Sequence, residues 1–145
     1  MIKIICLGKL KEKYLQELVN DYASRISKYH KIEIIELKDE EDLEKEASNI
    51  LKYIEAKDYV ITLEIEGKTL DSPTLAKLLD ETFIHYSTIT FVIGSSTGLS
   101  KRVKDRSNYN LSFSKFTFPH GLFRGILLEQ IYRAYKINNQ ENYHK

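Results

Sequence analysis

Gly94 and Gly98 bracket the polar triplet Ser95-Ser96-Thr97, directly after the apolar run Ile89-Thr90-Phe91-Val92-Ile93. Glycine lacks the Cβ that holds a ligand off the backbone, so such a turn lets a small molecule approach main-chain groups. A plain structural turn fits the same residues. The stretch is not a phosphate loop, which needs Gly-Lys-Ser/Thr, nor a dinucleotide fingerprint, which follows the first strand instead of a late one. It reads literally as Gly-x-Ser-x-Gly, so a serine hydrolase is a rival. Against that, the acid and histidine that must follow the serine are confined to Asp105 with His120 or His144, a cramped span for a triad. His30, His85, His120 and His144 have no paired ligand spacing and Cys6 has no second cysteine, so no metal site is expected. The acidic run Asp39-Glu40-Glu41-Asp42 lacks the glycine and spacing of a calcium loop. Acids before a helix complement its dipole, which explains the run without a metal. The chain ends Tyr143-His144-Lys145, an aromatic face, a group of the kind that titrates near neutral pH, and a cation. A frayed end is the alternative.

These groups need elements to hold them. Ile2–Leu7 is a nearly continuous apolar run stopped by Gly8, as in a parallel strand covered on both faces. Tyr14, Leu15, Leu18, Val19, Tyr22, Ile26 and Tyr29 recur at helical steps. Ile32–Leu37 alternates with acids and predicts a more exposed strand. Leu43, Ala47, Ile50, Leu51 and Ile54 mark a second helix, and Tyr59–Ile65 a third strand. Ser72 and Pro73 read as N-cap and first helical residue of a helix carrying Leu75, Leu78, Leu79 and Phe83. Ile89–Ile93 is the fourth strand, Lys101–Arg106 a short basic helix and Tyr109–Phe113 the fifth strand. The last helix starts at Pro119. Phe123, Leu127, Ile131 and Ala134 form its main stripe, widened by Leu122, Ile126 and Tyr135, and Glu129 with Arg133 makes an i,i+4 pair. That breadth of apolar surface suggests contact with a second copy, with burial inside the monomer alone as the alternative. Strands alternating with helices predict an α/β fold, a mainly parallel sheet with helices on both faces, over a single domain spanning residues 1–145. Ligands in such sheets sit beyond the carboxyl ends of the strands, which places the site in the last third of the chain, Phe91 to Lys145.

Composition sets the outer bounds. At 145 residues with net charge +1, the chain can bury a core and shows no global basic field. Met1-Ile2-Lys3 leads into too short an apolar stretch for a signal peptide, and no run reaches the ~18 residues of a membrane span. A cytoplasmic protein without membrane association is expected.

Several of these stretches together resemble the rRNA large-subunit methyltransferase H family, small SPOUT-class enzymes that methylate N3 of a pseudouridine in 23S rRNA. The resemblance covers essentially the whole chain. It is most specific at Phe91-Val92-Ile93-Gly94, at Leu111-Ser112 through Thr117-Phe118-Pro119-His120, at Glu129-Gln130-Ile131-Tyr132-Arg133-Ala134 and at Tyr143-His144-Lys145. It implies a C-terminal trefoil knot, which periodicity would not propose. It also implies S-adenosylmethionine among three loops, at Leu63, at Gly94 and at Phe113, Ser114, Lys115, Phe116, Thr117 and Phe118. Where many relatives carry Gly-Gly, this chain has Gly94-Ser95, which adds a Cβ and a hydroxyl near the methionine end.

The same resemblance implies a homodimer acting on the ribosome, the tail of one subunit completing the pocket of the other. Tyr143, His144 and Lys145 are then substrate contacts. Methyl transfer requires nitrogen, methyl carbon and sulfur in line, and positioning of this kind is worth ~7–11 kcal/mol. His144 is the expected base or proton relay, with Tyr143 and Arg124 beside it in the catalytic set. His120, Arg133 and Lys145 are expected to bind substrate, and Lys115 and Arg124 to reach phosphates. A SPOUT enzyme for another RNA base, in tRNA for example, and a non-catalytic ribosome-associated module are the alternatives.

Overall fold

A computed structural model describes all residues, 1–145, as a five-stranded sheet with five helices. In chain order the elements are β1 (Ile2–Leu7), α1 (Lys13–Ser27), β2 (Ile32–Leu37), α2 (Leu43–Leu51), β3 (Tyr59–Thr69), α3 (Ser72–His85), β4 (Ile89–Ile93), α4 (Lys101–Arg106), β5 (Tyr109–Ser112) and α5 (His120–Asn138). The strand order is β2-β1-β4-β3-β5, and every pair is parallel. The central strands β1 and β4 are buried along their whole length; their sequences are nearly continuous apolar runs, and the polar exceptions Lys3 and Thr90 both bond to buried Asp58.

Strand alternation divides the interior in two. Ile2, Ile4, Cys6, Ile61, Ile89, Phe91 and Ile93 face α1, α3 and α5 in one core. Ile5, Leu7, Val60 and Val92 face α2 and α4 in the other. Burial raises the pKa of the Cys6 thiol to about 11, which makes it an inert small hydrophobe. α5 contributes Leu127, Leu128, Ile131, Tyr132 and Ala134 to the first core. Gly125 lets it lie close to α1, since a Cβ there would sit 2.4 Å from Leu18 Cδ2.

Two expectations are corrected. The helix cap is Asp71, not Ser72: its Oδ1 accepts from the Thr74 N–H at 2.8 Å. Ser72 instead donates to Gln130 Oε1 at 2.6 Å and ties α3 to α5. The third strand does not stop at Ile65. It pairs through Leu63↔Leu111, bulges across residues 64–67, and resumes at Lys68↔Leu111. Gly67 permits the return, because a Cβ there would lie 2.6 Å from the Asn110 carbonyl oxygen. A bulge of this kind breaks the ladder and re-aims side chains, and here it lies beside the site.

Candidate functional site

A cavity of about 650 Å³ opens at the carboxyl ends of the strands. Its walls come from the β3 bulge (Leu63 to Glu66), the β4–α4 loop (Ile93 to Leu99, without Thr97) and the β5–α5 segment (Phe113 to Phe118, without Lys115). Leu111, Lys104, Pro119, His120 and Phe123 complete it. Of the residues expected around a cofactor, Leu63, Gly94, Phe113, Ser114, Phe116, Thr117 and Phe118 therefore converge. Lys115 points away from the cavity and is exposed.

Local interactions fix each wall. Phe113 meets Phe123 edge-on with centroids 5.2 Å apart, and Phe118 stacks on the same ring at 6.0 Å. Ser114 Oγ accepts from the Phe116 N–H at 3.0 Å, closing a short turn that leaves the Phe116 ring in solvent at the mouth. The β5–α5 segment travels far. It leaves edge strand β5 and arrives at β1, where Arg124 of α5 donates to the carbonyls of Gly8 at 3.1 Å and Leu7 at 3.5 Å.

Gly94, in the cavity wall, also has a part in holding the loop together. A Cβ on it would meet the Gly98 carbonyl oxygen at 2.8 Å and Leu99 Cγ at 2.9 Å. The missing side chain makes room for the loop's own backbone. Gly98 has φ +84°, a left-handed conformation, with open space where its Cβ would be. Ser95 turns its hydroxyl toward α2, donating to Glu46 Oε1 at 3.1 Å, while Glu46 Oε2 accepts from the Glu40 N–H at 3.0 Å. Glu46 is buried and has no cationic partner, so these two donors are what keep its carboxylate satisfied. Sequence reading missed Glu46, because an acid in an acidic stretch reads as solvated.

The tail forms a second group. Tyr143 is half-buried against Tyr132, with its hydroxyl 3.2 Å from Glu129 Oε2 and 3.4 Å from the Tyr22 hydroxyl. Burial, then the hydrogen bond to Tyr22, raises its pKa, so it is a neutral donor. Arg133 grips Glu129 through Nε and Nη2, lies 4.7 Å over the Tyr143 ring, and places Nη1 3.2 Å from His144 Nδ1. The end of the chain is thus anchored, with His144 and Lys145 exposed. None of the three tail residues lines this chain's own cavity.

Arg124 belongs to neither group. It is 3% exposed, and besides the two carbonyls it pairs with Glu36 Oε2 at 2.5 Å. It ties α5 to the end of β1 and does not line the cavity. An arginine among apolar neighbours reads from sequence as a phosphate ligand, while the strand-end carbonyls that consume it are invisible there.

An all-parallel sheet with an apolar cavity, roofed at its carboxyl edge by a segment crossing from edge strand to centre, defines a small-molecule-binding class of α/β protein. The family model described as "Predicted SPOUT methyltransferase" matches residues 1–144, and the chain belongs to that family. The similarity extends to proteins named "Ribosomal RNA large subunit methyltransferase H". Those of Clostridium novyi (strain NT) and Clostridium botulinum (strain Alaska E43 / Type E3) are 50% and 48% identical, with 99% of both chains covered in each case. Among solved structures, "a probable methylase family protein" from Haemophilus influenzae Rd KW20 aligns over 99% of this chain and 70% of its own, at TM-score 0.57 and 12% identity. The SpoU methyltransferase AviRb from Streptomyces viridochromogenes, in complex with AdoMet, aligns over 95% of this chain with TM-score 0.50 and 7% identity. This chain spans 60% of that longer one. Both structural likenesses concern the fold. No helix is long and apolar enough to cross a membrane.

Proposed function

We propose that this chain transfers the methyl group of S-adenosylmethionine to N3 of a pseudouridine in 23S rRNA, acting in the cytoplasm as a homodimer on the assembled ribosome. The observation that carries the reading is the cavity, in a chain half-identical along its length to proteins named for large-subunit rRNA methylation. The cavity suits the cofactor. At about 650 Å³ it falls in the ~300–1,000 Å³ range of small-molecule sites. Leu63, Ile93, Leu111 and Phe113 give an adenine ring apolar walls, and the strand-end backbone at Leu63, Gly94 and Phe113–Phe118 offers hydrogen bonds. When bound, S-adenosylmethionine supplies an electrophilic methyl group on a sulfonium. We further propose that the segment after β5, crossing past β3 and β4 toward β1, is threaded as the trefoil knot of the family.

The tail supports a shared site. Its residues are anchored on α1 and α5 but do not line the strand-end cavity of their own chain, which suits delivery to that cavity in a second copy. Leu122 and Phe116 leave apolar surface exposed for that copy. His144 then takes a specific role. Arginine has no acceptor, so Arg133 Nη1 donates to His144 Nδ1, and the neutral ring keeps its proton on Nε2. With that bond in place His144 presents an N–H donor, not a lone pair. Aimed at a uracil carbonyl, it stabilises the charge that develops as N3 gives its proton to solvent water and takes the methyl group. Tyr143 offers an aromatic face to the base, while Lys145 and His120 remain exposed for phosphate contact.

The test is mass spectrometry of 23S rRNA from a strain lacking the gene. Loss of the methylated pseudouridine is expected. A change confined to tRNA would move the enzyme to another substrate, and a chain that binds no S-adenosylmethionine by calorimetry would be a non-catalytic module.

A further inference from the structure

Glu64 stands where β3 leaves its register with β5 to form the bulge, and its side chain is 12% exposed in the cavity wall. Its two carboxylate oxygens are treated unequally. Oε2 accepts from Thr62 Oγ1 at 2.6 Å and from Asn110 Nδ2. Oε1 has no hydrogen-bond donor, and its nearest cation, Lys104 Nζ, stands 3.8 Å away on a side chain that is 41% exposed. A largely buried carboxylate ordinarily has its oxygens satisfied, because withdrawing charge from water is costly. Glu64 lines the cavity, and Oε1 is the carboxylate oxygen left without a hydrogen-bond donor. Thr62 and Asn110 lock the carboxylate's position, so it is a fixed negative point in the cavity wall.

Resting on the S-adenosylmethionine reading above, we infer that Glu64 Oε1 recognises the positive charge of the ligand, with Lys104 as the loose counter-charge until the ligand arrives. The shared chemistry is a cation, and it has two sources on that molecule: the ammonium of the amino-acid end and the sulfonium. A donor from a neutral ribose would satisfy the oxygen without offsetting its charge. A cation does both, which favours it in a site where the existing counter-charge is long and half in solvent.

Calorimetry with three ligands separates the cases. S-adenosylmethionine carries both charges, S-adenosylhomocysteine only the ammonium, and 5′-methylthioadenosine neither. Glu64→Gln keeps the side-chain shape and an acceptor for Thr62. It is expected to weaken S-adenosylmethionine by at least about tenfold, the scale of a lost charge-assisted bond, and 5′-methylthioadenosine by less than about twofold. S-adenosylhomocysteine falling with the first ligand assigns the ammonium; holding with the last assigns the sulfonium. Glu64→Ala should give the same ratio, so a folding defect peculiar to one substitution does not decide the matter. Equal losses for all three ligands, or no loss for any, would overturn the inference. Wild-type protein that fails to bind S-adenosylmethionine at all would instead remove the reading on which it rests.

Discussion

The two glycines of the β4–α4 loop should answer to opposite rules, and four substitutions reveal it. At Gly94 the obstacle is steric: a Cβ lands 2.8 Å from the Gly98 carbonyl oxygen and 2.9 Å from both the Gly98 carbonyl carbon and Leu99 Cγ. Two of those atoms are backbone, so relief requires the whole loop to move. Forcing a methyl group into a packed site costs ~1–3 kcal/mol. For a chain of this size that lowers the melting temperature by roughly 3–10 °C. At Gly98 there is space but φ is +84°, so Gly98→Ala costs ~1–2 kcal/mol through backbone strain alone. Asparagine tolerates that conformation better than alanine but is larger. Hence Gly98→Asn should be more stable than Gly98→Ala, whereas Gly94→Asn should be less stable than Gly94→Ala. Thermal melts of the four variants, paired with S-adenosylmethionine titrations, form the assay. Both Gly94 variants should also bind the ligand more weakly, because the displaced loop is a cavity wall. Gly94→Asn as stable as wild type, or the same Ala-to-Asn ranking at both sites, would refute the assignment of cause.

Other outcomes follow from the same contacts. Glu46→Ala strips an acceptor from Ser95 and from the Glu40 amide and should cost ~1–3 kcal/mol in urea unfolding, with Glu46→Gln recovering part of it. Deleting residues 143–145 should leave S-adenosylmethionine affinity within a few-fold but slow single-turnover methylation of unmodified ribosomes by roughly a hundredfold or more. In the same assay the ratio of His144→Ala to wild-type rates should stay flat with pH; recovery of the variant at high pH would restore His144 as the base. Burial, then the neighbouring chain-terminal ammonium, lowers the pKa of His30 below its ordinary value near 6.5. The unfolded chain therefore binds more protons there, so stability is full above that pH and falls as the pH drops through the folded value. His30→Gln should flatten that slope in melts across pH 5–8. The Cys6 thiol, with its pKa raised to about 11, should react with a thiol reagent at pH 8 only on unfolding.

Much of this architecture is written locally. Ile2–Leu7, Ile32–Leu37, Ile89–Ile93 and Lys101–Arg106 are predicted with the bounds observed, because apolar runs and breakers settle them residue by residue. Strand ends can be located before the strands are ordered, but that the ends of β3, β4 and β5 are the ones that line the cavity came from the family resemblance. The order β2-β1-β4-β3-β5 was not legible, because periodicity says which face is buried and nothing about neighbours. Glu64-Ile65-Glu66-Gly67 reads as a strand giving way to a turn, and only pairing with Leu111 on both sides shows it to be a bulge within one strand. The partners of Glu46 and Arg124 were not legible for a common reason. A charged side chain looks solvated or functional until the distant groups that consume it, Ser95 in one case and the end of β1 in the other, are in place.

The position of α5 in the chain has a consequence for biosynthesis. The helix is made last, yet it supplies Leu127, Leu128, Ile131, Tyr132 and Ala134 to the larger core, and the segment before it closes the cavity. While those residues are still inside a translating ribosome, β1, β3, β4 and β5 show water the face that α5 will cover. That face stays uncovered until α5 has emerged and docked. A stalled or truncated translation product would present an open apolar sheet, a substrate for chaperones and proteases rather than a smaller working domain.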